Sequence, residues 1–196
     1  MILSVATVRW LQRLPGTVAA HDLDVAYSFA HPLNQSRELA KEVLTTDADD
    51  EHLLWWMKIY TVDRKEVLEA PLARKVYDRA PLRSVRENGP VVYNALFQVK
   101  QSFKRQGLAK SVYEAEGALY KKWGLREIHI NAREDGLVVW MKSFGFLPRL
   151  PKILATDYAG WARQRGLPPK PPDHATDYPA EFLRSRDSLE LFKVIR

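Results

Sequence analysis

The chain lacks cysteine altogether, and that absence excludes several kinds of site. With no Cys among 196 residues, it cannot contain a disulfide framework, a thiolate zinc site or a cysteine nucleophile. It also lacks a long apolar run, because Arg9, Gln12 and Arg13 interrupt the fairly apolar first twenty residues and no small-residue cleavage pattern follows. We therefore expect no signal peptide, no membrane partner and a cytoplasmic protein.

The composition suits one folded domain with an appendage. The chain is 46% hydrophobic and contains six Trp and eight Tyr, which is enough for a sizeable core. We place the main domain at residues 1–150 and a C-terminal extension at residues 151–196. The net charge of +6 favours an anionic ligand or partner. Nucleic acid is not expected, because no block of Lys and Arg with stacking aromatic side chains occurs.

Residues 91–146 contain the clearest pattern in the chain. Residues 91–99 are an apolar run rich in strand-forming residue types, which predicts a strand. Apolar residues then recur at steps of three and four, as on one face of a helix; they are Leu108, Val112, Ala115, Leu119 and Trp123. Gly124 follows, where a helix commonly ends in a left-handed residue. The sequence therefore predicts a strand, a tight turn and a helix.

The turn between this strand and this helix has the chemistry of an anion site. A helix that starts at Gly107 leaves its first N–H groups unpaired, and they lie at the positive end of the helix dipole. Lys104, Arg105 and Lys110 add positive charge, and residues 100–126 hold seven basic and two acidic residues, seven minus two or +5. The alternative is an ordinary strand-to-helix turn with a solvated basic rim.

The sequence after the helix adds a second motif. Residues 127–131 predict a short strand, and residues 136–144 predict a helix that ends at Gly145 and Phe146. The chain here resembles the GNAT superfamily of acyl-CoA-dependent N-acetyltransferases. That family has Q/R-x-x-G-x-G/A after its fourth strand, which residues 104–109 match as KRQGLA, and a later helix that ends in a Gly-Phe pair.

The resemblance implies both a fold and an activity. The implied fold class is α/β: a mixed, mostly antiparallel sheet with a V-shaped splay, flanked by helices on both faces. The implied activity is transfer of an acetyl group from acetyl-CoA, as cosubstrate, to a primary amine by direct attack, with no metal. The implied cosubstrate-binding residues are the strand end and the turn: Phe97, Gln98, Val99, Lys104, Arg105, Gln106, Gly107, Leu108, Ala109 and Lys110.

Two positions depart from the family pattern. Lys104 replaces the usual Gln or Arg, which keeps a charge but loses the planar fork. Met141 stands where the family often has a tyrosine that protonates the leaving thiolate. The candidate catalytic residues are therefore other polar groups, Tyr93 on the first strand and His129 on the next, and each is equally readable as a locally satisfied structural residue.

A second class of function stays open at this point. A catalytically weak or inactive acyl-CoA-binding module, with a regulatory or interaction role, also fits the missing tyrosine. The sequence does not identify the amine acceptor, which can be a small molecule or a protein. It does not set the oligomeric state either; a dimer is one option.

Outside residues 91–146 the patterns are shorter. Residues 23–29 alternate apolar and polar, which predicts a strand, and residues 36–44 predict a helix. Residues 52–62 are apolar on both faces, which predicts an inner strand covered on both sides. The charged residues 63–90 suggest an insertion that faces substrate. In the extension, residues 168–172 predict a stiff proline-rich linker and residues 188–195 a final strand.

Overall fold

The computed structural model describes residues 5–19, 21–31, 37–38, 40–48, 51–78, 89–133 and 135–195. The chain forms two compact units, one of Met1–Ile128 with Ile195–Arg196 and one of His129–Val194. The division into residues 1–150 and 151–196 stays a prediction.

The first unit is built around four antiparallel strands. Strands β3, β4, β5 and β6 are neighbours in that order, and β1 and β2 form a separate antiparallel pair. The elements are α1 (Val5–Leu11), α2 (Asp22–Ala26), β1 (Ala30–His31), β2 (Arg37–Glu38), β3 (Ala40–Ala48), β4 (His52–Tyr60), β5 (Leu72–Tyr77), β6 (Val91–Leu96) and α3 (Leu108–Lys122).

Strand β4 shows why this sheet has one well-buried face. Its residues alternate between fully and partly buried, and the fully buried ones are Leu53, Trp55, Met57 and Ile59. The Trp55 ring meets Trp123, just after α3, edge to face at 6.0 Å between centroids. The predicted inner strand is confirmed as β4, between β3 and β5, but the prediction that both of its faces are covered was wrong, because one face is only partly buried.

The second unit contains most of β7 (Glu127–Ala132) and the elements that follow it. These are α4 (Asp135–Val138), a π-helical turn over Val139–Ser143, β8 (Leu147–Pro148), α5 (Pro151–Gln164), α6 (Ala180–Arg184) and β9 (Leu189–Val194). The predicted final strand is confirmed as β9, but it lies between β7 and β8 rather than at an edge. The rings of Tyr158, Trp161, Tyr178 and Phe182 pack into the core of this unit.

The predicted fold class is confirmed. The sheet is mixed, with mostly antiparallel pairs and one parallel pair, and helices lie around it. The predicted strand, turn and helix are β6, residues 97–107 and α3. The V-shaped splay stays a prediction. Among the helices that the structure describes, none has the length and apolar character needed to cross a membrane.

Three predictions for the first half of the chain were wrong. Residues 22–26 form α2 instead of a strand, and Ala40–Ala48 form β3 instead of a helix. The stretch suggested to be an insertion contains β5, which pairs with β4 and β6. Residues 36, 39 and 79–88, also covered by those predictions, lie outside the described residues.

The carboxylate of Asp22 explains why α2 forms where it does. It accepts hydrogen bonds from the Ala19 N–H at 2.9 Å and from Trp123 Nε1 at 2.8 Å, and it pairs with Lys122 Nζ. Burial disfavours the charged carboxylate, but the hydrogen bonds from Lys122, the Ala19 amide and Trp123 outweigh it and lower the pKa of Asp22. The start of α2 is therefore attached to the end of α3.

We expect Asp22→Asn to lower the free energy of unfolding by about 1–3 kcal/mol at neutral pH. Because the folded-state pKa lies below the unfolded one, this contribution is complete above the unfolded-state pKa and is lost as the pH falls through the folded-state pKa. Urea unfolding of both proteins from neutral pH to about pH 3 should show the gap closing at the acidic end. A gap that stays constant with pH would contradict an ionised role for Asp22.

Candidate functional site

The turn between β6 and α3 has an unusual backbone. It contains a 3₁₀ turn over Gln101–Phe103, and then two residues with left-handed φ angles, Arg105 at 63° and Gly107 at 83°. A left-handed conformation costs a non-glycine residue such as Arg105 about 1–2 kcal/mol. Strain of this kind clusters at functional sites. The turn therefore has the kind of backbone strain that makes it a candidate functional site.

Helix α3 begins without a side-chain hydrogen bond to its first N–H groups. Gly107 is its N-cap residue and has no side chain to accept from the first N–H groups, and the first turn contains no acidic residue. The first helical hydrogen bond runs from the Ser111 N–H to the Gly107 carbonyl at 3.1 Å. The N–H groups of the first turn lie at the positive end of a 15-residue helix, a position that favours negative charge.

The charges around this helix start are positive and exposed. Lys104, Arg105 and Lys110 are all exposed, as is Gly107. Lys110 pairs with Glu114 at 3.9 Å on the helix surface, an interaction that is weak between exposed groups. The structure thus brings the predicted residues 104–110 together as one accessible basic turn.

The strand before the turn has a bulge. Ala73 pairs with Leu96 while Arg74 pairs with Asn94, so Ala95 is the extra residue on β6. Bulges bend a strand and are frequent next to active sites. Beyond the bulge the chain stays extended, because the Glu69 N–H donates to the Gln98 carbonyl at 2.8 Å and the Lys100 N–H donates to the Val67 carbonyl at 2.9 Å.

This pairing shows to which edge of the strand the backbone groups of Phe97, Gln98 and Val99 point. The backbone groups of alternate residues in a strand point to opposite edges. Gln98 is bonded on the side of residues 67–69, so Phe97 and Val99 present their N–H and C=O groups on the other side. The backbone groups of Phe97 and Val99 are therefore directed away from residues 67–69.

A buried ion pair lies behind the bulge, and the sequence did not predict it. Arg74 and Glu116 each expose 1% of the side chain, and Arg74 Nε donates to Glu116 Oε1 at 2.8 Å. The Tyr27 hydroxyl also donates to that carboxylate. Burial opposes the charge of Arg74, but the Glu116 carboxylate outweighs it and raises the pKa of Arg74. Burial and then Glu116 raise the pKa of Tyr27.

His31 is a second residue that the sequence did not single out. A Cβ atom added to Gly107 would lie 3.9 Å from His31 Nε2, so the imidazole packs next to the turn. Burial lowers the pKa of His31 and favours the neutral ring. The positive charge of the turn therefore comes from the helix and the three exposed basic residues.

Met141, at the position of the family tyrosine, belongs to the core. It is fully buried, and Trp140 beside it packs on the rings of Phe144 and Phe146. The helix is π-helical here, with the Phe144 N–H donating to the Val139 carbonyl at 3.3 Å. Met141 is therefore a buried core residue, and its thioether cannot donate a proton.

The two candidate catalytic residues lie on different units. Tyr93 is partly exposed on β6, and its partner across the strand pair is Lys75. Its neighbour Asn94 points to the opposite face, where it accepts from the Tyr120 hydroxyl at 3.3 Å. His129 on β7 is buried, and its ring stacks on Phe192 at 6.3 Å. Their catalytic roles stay predictions.

The chain has structural likenesses among solved proteins but no match by sequence. No protein-family model and no curated protein matches it. Among solved structures, arylalkylamine N-acetyltransferase 2 from Aedes aegypti matches with 12% identity and a TM-score of 0.43, covering 72% of this chain and 73% of the other. Nourseothricin acetyltransferase matches with 8% identity and a TM-score of 0.41, covering 92% and 96%.

Ard1 from Thermoplasma volcanium also matches, with 12% identity, a TM-score of 0.38 and coverage of 72% of this chain and 70% of the other. These likenesses concern the fold. The resemblance to the GNAT superfamily stands on the two sequence motifs, and the arrangement that they predict is present: a strand, a left-handed glycine turn and a helix with an open N-terminus.

Proposed function

We propose that the protein is an N-acetyltransferase that transfers an acetyl group from acetyl-CoA to a primary amine. The observation that carries this proposal is the uncapped start of α3, entered through Gly107 and surrounded by Lys104, Arg105 and Lys110. A pyrophosphate fits this turn, because it needs several N–H donors and positive charge at one place. The turn supplies both.

The strand end supplies the other half of a CoA site. The backbone groups of Phe97 and Val99 can pair with the amide groups of a pantetheine arm, as one more strand would. CoA then lies with its phosphates at the helix start and its thioester beside the bulge at Ala95. In this arrangement the strand end binds the pantetheine arm and the start of α3 binds the phosphates.

The transfer step needs no covalent enzyme intermediate. The amine nitrogen attacks the thioester carbonyl carbon, a C–N bond forms, the C–S bond breaks, and CoA leaves as the thiolate. The amine loses one proton to a base or to water, and the thiolate takes up one proton from solvent or from an acid. The protein contributes chiefly the placement of the two reactants and the electrostatics around them. Tyr93 and His129 are the proposed polar groups for the proton transfers.

A binding module is the second candidate, and the buried Met141 favours it because no tyrosine acid stands there. Calorimetry with CoA and acetyl-CoA, followed by an assay of thiol release with small amines, polyamines and peptides, separates the two. Binding with acetyl transfer supports the enzyme. Binding without transfer to any acceptor supports the module, and no binding overturns both.

Lys104→Ala should weaken CoA binding by about 1–2 kcal/mol, roughly 5- to 30-fold, which is the worth of one charge-assisted hydrogen bond. Lys121→Ala is the matched control, because Lys121 is an exposed lysine near the other end of α3. Calorimetry on both variants measures the difference. Equal affinities for the two variants would show that Lys104 does not meet a phosphate.

A further inference from the structure

The two halves of the proposed CoA site belong to different elements. The phosphate turn leads into α3, and the edge for the pantetheine arm follows β6. A ligand that spans both halves needs them at a fixed separation, because a small displacement of one half weakens binding along the whole ligand. Something must therefore hold the end of β6 against α3.

Arg74 makes contacts with both elements at once. Its Nε and Nη2 donate to the two oxygens of Glu116, on α3, at 2.8 and 3.2 Å. Its Nη1 donates to the Leu96 carbonyl at 2.7 Å and to the Ala73 carbonyl at 3.0 Å. The guanidinium carbon also lies 5.6 Å from the centre of the Phe97 ring.

These contacts fall where the regular sheet is interrupted. Leu96 comes directly after the bulge, where the β5–β6 ladder changes register. A planar guanidinium can bind a carboxylate with one edge and carbonyl oxygens with another, which a lysine cannot do. Full burial keeps water from replacing these bonds, so they are stronger than on the surface.

We propose that Arg74 and Glu116 are positioning residues that fix the strand end of residues 96–99 relative to the phosphate turn, so that one CoA molecule can bind both. This inference rests on the proposed function. Arg74 acts through the Leu96 carbonyl and the Phe97 ring, and Glu116 acts through Arg74. Neither is proposed to touch the ligand.

The test replaces the pair by apolar residues of similar size. A buried ion pair can often be exchanged in this way without loss of the fold, so Arg74→Met with Glu116→Leu removes the link to Leu96 in a folded protein. Tyr27→Phe is the control, because it removes a hydrogen bond to Glu116 and leaves β6 untouched. If the double variant does not fold, Arg74→Lys is the second variant, because lysine keeps the positive charge but lacks the planar guanidinium that binds Glu116 and Leu96 at once.

Two measurements are made on each protein. The first is the affinity for CoA and for phosphoadenosine diphosphate, the nucleotide half that lacks the pantetheine arm. The double variant should bind CoA at least about tenfold more weakly, and the nucleotide half within about twofold of wild type. The second is hydrogen exchange at the Glu69 and Lys100 amides, whose bonds hold residues 97–100. Exchange there should accelerate at least about tenfold in the double variant, while the α3 amides keep their rates.

Each outcome decides something. A folded double variant with wild-type CoA affinity and wild-type exchange would overturn the positioning role. Equal weakening of both ligands would also overturn it, because the pair would then support the turn itself. A wild-type protein that bound neither ligand would overturn the proposed function and this role within it. In that case, faster exchange at the Glu69 and Lys100 amides of the double variant would still show that the pair stabilises the strand end.

Discussion

Replacing Gly107 by glutamate is expected to abolish detectable CoA binding in a protein that still folds. The new side chain has room, because a Cβ atom at this position meets only His31 Nε2 within 4 Å, at 3.9 Å. The left-handed φ of 83° costs any side chain about 1–2 kcal/mol. A carboxylate at a helix N-terminus returns about 0.3–1 kcal/mol of that. The net loss of stability is therefore small.

The loss of binding is large because the carboxylate takes the position of the phosphate. It occupies the free N–H groups of the first turn of α3 and repels a second anion there. We expect the CoA dissociation constant to rise more than about 100-fold, or ~2.7 kcal/mol. Calorimetry measures it, with thermal unfolding as the check on folding.

Gly107→Gln is the matched control for this substitution. It shares the backbone strain and nearly the same volume with Gly107→Glu and differs in charge. Its affinity should fall between those of the wild type and the glutamate variant. If a folded Gly107→Glu protein bound CoA as the wild type does, the turn would not be the cosubstrate site.

The parts of the fold that the sequence predicted have clear apolar patterns. Helix α3 repeats its apolar residues over four turns, which fits one period, and β4 contains the continuous apolar run Leu53–Met57. That run predicted a strand, but it did not show which of its residues face the core. The glycine turn was predictable for a different reason. An anion site at a helix start needs a small residue, nearby positive charge and a preceding strand, all of which are adjacent in sequence.

The α2 error shows where such patterns stop being informative. Leu23 and Tyr27 are four residues apart, a spacing that fits one face of a strand and one face of a helix equally well. In the folded protein the helix begins at Asp22, whose carboxylate is bound by Lys122 and Trp123, about a hundred residues away along the chain. No local pattern contains that information.

The buried ion pair was missed because charged residues are normally taken as exposed. A signal was present in α3: Glu116 lies four residues after Val112 and three before Leu119, within the apolar stripe. Its partner could not be found in the same way. Arg74 lies in the charged stretch that the sequence suggested to be an insertion, and its position beside Glu116 depends on the pairing of β5 with β4 and β6.

Removing Glu116 alone should therefore cost more stability than any other single change in this region. Glu116→Leu leaves the guanidinium of Arg74 buried without its carboxylate, and arginine does not lose its proton in a protein. We expect the free energy of unfolding to fall by about 3–5 kcal/mol. Arg74→Met alone should cost less, because the Glu116 carboxylate keeps its hydrogen bond from the Tyr27 hydroxyl.

The double variant distinguishes this electrostatic cause from simple loss of packing. If the unpaired charge is the cause, adding Arg74→Met to Glu116→Leu should recover at least about 2 kcal/mol, since no buried charge remains. Urea unfolding of the wild type, the two single variants and the double variant measures the coupling energy of the pair. Additive losses in the double variant would show that Arg74 and Glu116 contribute through separate contacts, and that the pair does not act as one unit.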